Sequence, residues 1–302
     1  MYDLIIVGGG PAGLTAAVYA IRKRLNVLLV STDLGGKTNY HISLPWIEDY
    51  QVIRGLELVN KFRSELEYLD FARLMDSVEK IEKKGDHFIL QTKGGSVLES
   101  RAVILATGAH QALLNVPGEK EFIGKGLSYS ALSYAPLFID KTVIVIGSGE
   151  LALRSAGELA TVARQVTVVC EGDKPMETPL AKKLSEAGNV TIIKGAQVTE
   201  VKGDNFARSI VVKDKSGKVA EHHADGMFVE KALTANAKML GGLLGLDERG
   251  RIEVDGACRT SIPGLFAAGD VTSGFAEQVL IAVGEGAKAA LSAYDYLLPT
   301  LA

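Results

Sequence analysis

Two short stretches of the 302-residue chain hold side chains whose type and spacing could do chemistry. In "GLSYSALSYAPLF", residues 126–138, Ser130 and Ser133 stand at the C-x-x-C spacing of a redox dithiol, with oxygen in place of sulfur. A cysteine can supply a thiolate, because its pKa of about 8.5 is readily lowered by neighbours. A serine hydroxyl does not ionise comparably, and two hydroxyls have no disulfide state in which to hold two electrons. Disulfide reduction through an internal dithiol is therefore excluded at this site. The two cysteines of the chain, Cys170 and Cys258, lie far apart in unrelated contexts and suggest neither a disulfide scaffold nor a metal cluster.

The second stretch is "GGGPAG", with Gly8, Gly10 and Gly13 at G-x-G-x-x-G spacing and Pro11 and Ala12 between them. Gly8 permits a tight turn, Gly10 lets a pyrophosphate approach the backbone, and Gly13 lets a helix pack closely on a strand. Such a turn works only between the right elements. Leu4–Val7 is an apolar run with the look of a buried parallel strand, Leu14–Lys23 is an alanine-rich amphipathic helix, and Val27–Val30 is a second buried strand. In that βαβ unit the helix N-terminus presents unpaired N–H groups and a positive dipole end to a phosphate. The acidic residue usual after the second strand, for the ribose, is absent. The chain has "VSTDLGGK" there, leaving Ser31, Thr32 and Asp33 as candidates for that hydrogen bond.

The unit then repeats. Thr142–Ile146 is another buried strand, "GSGELA" supplies Gly147, Gly149 and Ala152, and a helix and the strand Val166–Val169 follow. A strand–turn–strand comes after each unit, so the chain contains two related nucleotide-binding folds. A third glycine signal, "TSIPGLFAAGDVTSGFAEQV", precedes a final helix. The length suits two domains. A net charge of −3 gives no footprint for nucleic acid or an anionic membrane. No apolar run reaches the roughly 18 residues of a membrane span. The first residues go straight into a strand rather than a signal peptide, and a soluble cytoplasmic protein is expected.

"GGGPAG", "GGK" at 35–37, "ILATGA" at 104–109 and "TSIPGLFAAGDV" at 260–271, in this order, resemble low-molecular-weight thioredoxin reductases, of the class II pyridine nucleotide-disulfide oxidoreductases. The resemblance covers essentially the whole chain. It implies an α/β fold of two doubly wound, Rossmann-like domains. The FAD domain would be discontinuous, 1–112 and 245–302, with a pyridine-nucleotide-type domain, 113–244, inserted. By the same resemblance Gly35, Gly36 and Lys37 belong to the FAD loop, Asp49 lies near the ribityl and flavin, and Val78 near the adenine. Thr107 and Gly108 lie beside the flavin, Gly269 and Asp270 meet the ribityl and pyrophosphate, and Gln278 and Val279 lie by the flavin ring. Homodimerisation is implied in the same way.

Three departures from the family matter more. The first is Ser130 and Ser133. The second is "VVCEGDKPM": where two arginines would bind the 2′-phosphate of NADPH stand Glu171 and Gly172, and Met176 takes a third arginine's place. Glu171 is either the acid for the ribose hydroxyls of NAD or a solvated loop charge. The third is "FVEKALTAN", where Ala232 and Ala235 replace a glycine and a proline beside the nucleotide and bulky Glu230 and Lys231 precede them. NAD(H) binding that is weak or absent is expected, with no metal. His222 and His223 have the look of a solvated strand. His41, His110, Tyr40, Trp46, Tyr129 and Tyr134 abut FAD motifs, Tyr40 and Tyr134 being the better candidates for a flavin contact. The expectation is an FAD oxidoreductase exchanging electrons with a redox protein such as ferredoxin, or with a small-molecule acceptor. A non-catalytic flavin-binding module and an NADH-dependent reductase are the alternatives.

Overall fold

The computed structural model describes residues 1–39, 42–47, 56–69, 72–172 and 178–301. The described residues within 1–39, 53–110 and 234–302 form one unit, and those within 40–52 and 111–233 another.

The first unit opens with β1 (Tyr2–Val7), α1 (Pro11–Arg22) and β2 (Val27–Ser31). After α2 (Leu56–Tyr68) come β3 (Arg73–Met75), β4 (Val78–Lys84), β5 (His87–Thr92) and β6 (Val97–Leu105). The chain crosses to the second unit at β7 (Ala109–Gln111). That unit holds α3 (Glu119–Phe122), β8 (Leu127–Ser128), α4 (Ala131–Tyr134), β9 (Thr142–Ile146), α5 (Glu150–Ala160) and β10 (Gln165–Cys170). It continues through α6 (Pro179–Glu186), β11 (Val190–Lys194), β12 (Ala196–Gly203), β13 (Ala207–Asp214), β14 (Val219–His223) and β15 (Gly226–Val229). The chain returns at β16 (Leu233–Ala235) and finishes the first unit with β17 (Leu265–Ala267) and α7 (Val279–Leu301).

The first sheet runs β3-β2-β1-β6-β5-β4, with β17 on the end of β6. Its central pairs are parallel, Leu4 opposite Val27 and Ile6 opposite Ile104. Both faces are covered, which is why these strands are unbroken apolar runs rather than alternating ones. Leu4, Ile6, Leu29 and Ile104 pack under α1, α2 and α7, while Ile5, Val7, Val30 and Leu105 face Phe88, Leu90 and Leu240. Small residues let α7 lie directly on α1: a Cβ at Gly286 would collide with the Ala12 carbonyl oxygen.

The second unit repeats the design. Its parallel sheet runs β11-β10-β9-β15-β8, beside the antiparallel ribbon β12-β13-β14. Val143 and Val145 pack under α5 with Phe138 and Phe228, and Ile144 and Ile146 face Val198 and Ile210.

The return crossing falls earlier than the expected 244/245. Asn236 donates its backbone N–H to the Gly108 carbonyl (2.9 Å), and Ala237, Leu240 and Leu244 join the first unit's core. Residues 42–47 also depart from expectation: Leu44 packs in the second unit's core, and the Trp46 ring meets Phe138 edge-on at 5.6 Å.

Candidate functional site

The glycine turn of the first unit is built by close approach. Gly8 takes φ +111° and donates to the Val30 carbonyl, and a Cβ there would strike Ala106. A Cβ at Gly13 would strike the Gly8 carbonyl, so turn, strand and helix come together only without side chains. Above Gly10 the space is open, with no atom from beyond its own chain neighbours within 4 Å of where a Cβ would be. Gly10 caps α1 without a side-chain bond, Pro11 takes the first helical position, and no acidic residue sits in the first turn. The N–H groups there are left facing open space, which suits a phosphate.

The other motifs converge on this turn. A Cβ at Gly36 would lie 3.1 Å from the Gly10 Cα, and one at Gly269 would lie 3.1 Å from the Ala12 Cβ. Lys37 Nζ donates to Asp270 Oδ2 at 2.9 Å, joining two motifs 233 positions apart. Glu285 of α7 accepts the Gly269 N–H at 2.7 Å and so anchors that loop. Gln278 and Val279 stand at the start of α7, where the Gln278 carbonyl accepts the Ala282 N–H. Thr107 is locked to Asn236: its hydroxyl donates to the Asn236 carbonyl (2.6 Å), and Asn236 Nδ2 donates back to the Thr107 carbonyl (2.9 Å). Val78 is buried at the start of β4. These residues, with a side-chain-free cradle and an uncapped helix N-terminus, fit a dinucleotide such as FAD.

The ribose candidates are occupied in part. Ser31 Oγ accepts the Gly9 N–H (2.8 Å) and donates to the Asp33 carbonyl (2.7 Å). Asp33 Oδ1 accepts the Gly36 N–H (2.7 Å) and the Asn39 amide (3.1 Å). Both shape the loop, and Thr32 is exposed. Asp49, Tyr40, His41 and Met176 lie outside the described residues.

In the second unit a Cβ at Gly147 would strike the Glu230 carbonyl, and Gly149 caps α5 with open space above it. Here, however, Glu150 occupies the first turn of the helix. Ala152 is buried against the core. Glu171 is no isolated loop charge: its N–H donates to Ser148 Oγ (2.9 Å) and its carboxylate meets Lys231 Nζ at 3.2 Å.

The serines lie side by side, Ser130 Oγ donating to Ser133 Oγ at 2.9 Å. Beneath them Glu230, 3% exposed, accepts the Ala131 N–H at 2.7 Å through Oε1. Glu119, also buried, accepts from the Leu114 and Asn115 N–H groups and from the Tyr129 hydroxyl. Neither glutamate announced these anchoring roles in the sequence: the partner of Glu230 lies 99 positions away, and Glu119 closes a local loop that carries no motif of its own. Of the aromatic candidates, Tyr134 is buried in the second unit's core, where burial pushes its hydroxyl pKa up, and Trp46 donates to the Leu137 carbonyl. His110 Nδ1 is 2.7 Å from Asn236 Oδ1. His222 and His223 lie on β14. Among the described residues no group of three or more His, Cys, Asp or Glu side chains could hold a metal, and no helix is long and apolar enough to cross a membrane.

Known proteins share this fold. The chain is 37% identical over 300 residues to a NADH dehydrogenase of Bacillus subtilis, covering 98% of this chain and 59% of that protein. The chain thus spans about three fifths of the length of that relative. The thioredoxin reductase structure of Streptococcus pyogenes superposes with a TM-score of 0.88 at 34% identity, covering 99% of both chains. A ferredoxin-flavin thioredoxin reductase of Clostridium acetobutylicum superposes with a TM-score of 0.51 at 28% identity, covering 99% of this chain and 98% of that one. The family described as pyridine nucleotide-disulphide oxidoreductase matches residues 2–286, and the chain belongs to that family.

Proposed function

We propose that this FAD-dependent oxidoreductase passes electrons between its flavin and a redox protein, ferredoxin-like, or a small acceptor, with no internal dithiol in the path. The observation that carries the proposal is the 2.9 Å hydrogen bond between the Ser130 and Ser133 hydroxyls. Two hydroxyls in contact can exchange a proton but cannot store two electrons, so a relay of the disulfide type has no carrier there. FAD, when bound, supplies two-electron redox chemistry. The chain's own residues bind and orient it: the Gly10–Gly13 turn takes the pyrophosphate, Lys37 and Asp270 hold the adjoining loops, and the start of α7 at Gln278 and Val279 meets the ring. The same cradle residues are proposed as the site, with Gly147, Gly149, Ala152 and Glu171 as a weakened nucleotide site.

The name of the Clostridium neighbour favours ferredoxin as the donor. The name of the Bacillus relative favours a second reading, an NADH-dependent reductase. A non-catalytic flavin-binding module is the remaining alternative. Purified protein is expected to be yellow, with one FAD per chain. Anaerobic titration with reduced ferredoxin, NADH and NADPH separates the readings by which donor bleaches the flavin. Bleaching by ferredoxin well ahead of either nucleotide is the expected result. Bleaching first by NADH would favour the reductase, and none by any donor would favour the module.

A further inference from the structure

We infer that Lys231 straps the dinucleotide crevice of the second unit shut by pairing with Glu171, and is the residue that keeps pyridine nucleotide from that crevice. The inference rests on the proposed weakness of this unit as a nucleotide site and names its cause.

The topology places the pair. In the order β11-β10-β9-β15-β8, the strand after β9 lies on one side of it and β15 on the other. A dinucleotide binds outside the C-terminal ends of the strands at such a switch point. β9 ends at Ile146 and leads into the Gly147–Gly149 turn, β10 ends one residue before Glu171, and β15 ends two residues before Lys231. The ion pair, Nζ to Oε1 at 3.2 Å, therefore spans from one flanking strand end to the other, across the strand end that carries the glycine turn.

Three contacts fix it there. Glu171 is tied to the turn by its N–H bond to Ser148 Oγ. The backbone at Glu230 lies against Gly147, with no room for a Cβ between them. Glu230 turns its own carboxylate inward to the Ala131 N–H. Lys231 beside it, only 26% exposed, reaches instead to Glu171. Any NAD(H) entering must detach the ammonium before Glu171 can take the ribose hydroxyls, and must bring its pyrophosphate past Glu150 in the first turn of α5. The first unit has no such obstruction: its turn has no carboxylate in the first helical turn and open space above Gly10.

The test is direct binding of NAD⁺, which is unreactive towards oxidised flavin, to FAD-loaded protein by calorimetry. Wild-type protein, Lys231→Met, Lys231→Gln, Glu171→Gln and the double variant Lys231→Met/Glu171→Gln are compared. A partly exposed pair is worth up to about fivefold, and freeing Glu171 for the ribose adds to that. Lys231→Met and Lys231→Gln should each tighten NAD⁺ about three- to tenfold, and Lys231→Met should give no gain in the Glu171→Gln background. Unchanged or weaker binding in both Lys231 variants, or an equal gain in the Glu171→Gln background, would overturn the inference. Ferredoxin-driven bleaching of wild-type flavin, measured in parallel, tests the proposed electron route independently of this outcome.

Discussion

Lys37 and Asp270 meet at 2.9 Å although 233 positions separate them. One stands in the loop after β2, the other in the loop after β17, and the pair closes the two motifs around the start of α1. Asp270 is 18% exposed, so screening is weaker than at an open surface. Replacing Lys37 by Met should weaken FAD retention about fivefold, in keeping with an upper value near 1 kcal/mol for such pairs. The flavin absorbance that survives desalting, and its titration with added FAD, measure this. Retention equal to wild type would show that the pair plays no part in holding the loops.

Both thiols should be inert in the folded protein. Cys170 and Cys258 are buried, and burial raises both pKa values. Burial, then the Glu285 carboxylate, lifts Cys258 well above the range of a free thiol, about 8.5 to 9, to about 11. A thiol whose folded pKa is raised gives stability that is whole below pH 9 and is lost as pH climbs through the folded value. Two pKa units correspond to roughly 2–3 kcal/mol. Denaturant unfolding at pH 8 and pH 11 should therefore show a smaller loss in Cys258→Ala than in wild type. An equal loss in both proteins would remove Cys258 from the account. Native protein should also react with a thiol reagent only on unfolding.

The strand and glycine pattern was legible because it is local. β1, α1 and β2 follow from apolar runs and G-x-G-x-x-G within the first 31 residues, and β9 matches its expected range, Thr142–Ile146. What escaped depends on pairing between distant segments. Ser31 and Asp33 look like ribose ligands in a line of sequence, but their bonds to Gly9 and Gly36 make them part of the loop. Glu171 and Lys231 are 60 residues apart, and nothing near either one announces the other. The return crossing was misplaced because 234–244 is as small and apolar as a core segment of either unit. The bonds of Asn236 to Thr107 and Gly108, and the burial of Ala237, Leu240 and Leu244 in the first unit's core, assign it.

Glu230 tests whether the segment under the serines is held from below. Its carboxylate accepts the Ala131 N–H from a nearly solvent-free position. Glu230→Ala removes an acceptor from a buried N–H, and such a loss costs about 1–3 kcal/mol. Amide exchange in residues 130–134 should speed up in the variant, with a lower thermal midpoint. Glu230→Gln keeps an acceptor oxygen and should fall between the two. Unaltered exchange in Glu230→Ala would mean that the turn is held by its neighbours alone.

The serine pair gives the sharpest prediction. Ser130 stands at the N-cap of α4 with extended backbone, φ −150° and ψ 94°, and its hydroxyl reaches Ser133 at 2.9 Å. A disulfide needs its sulfurs at about 2.05 Å, with the Cβ atoms roughly 3.5–4.5 Å apart. Side chains already in contact across one turn need little backbone movement to meet that condition. Ser130→Cys/Ser133→Cys should therefore close a disulfide in air, visible as the loss of two hydrogens by mass and of two titratable thiols. Each single variant should keep its thiol, because Cys170 and Cys258 are buried elsewhere. The wild-type protein should turn over no protein disulfide with any electron donor, since it has hydroxyls where the exchange would begin. Disulfide turnover by wild type that vanished on replacing Cys170 or Cys258 would reveal a second thiol route and overturn the proposal built on the serines. If the double variant oxidises in air and its disulfide is then reduced when donor electrons enter the flavin, the chain's departure from its family lies in these two side chains. If it oxidises but stays oxidised under a fully bleached flavin, the electron path itself has changed, beyond the exchange of sulfur for oxygen.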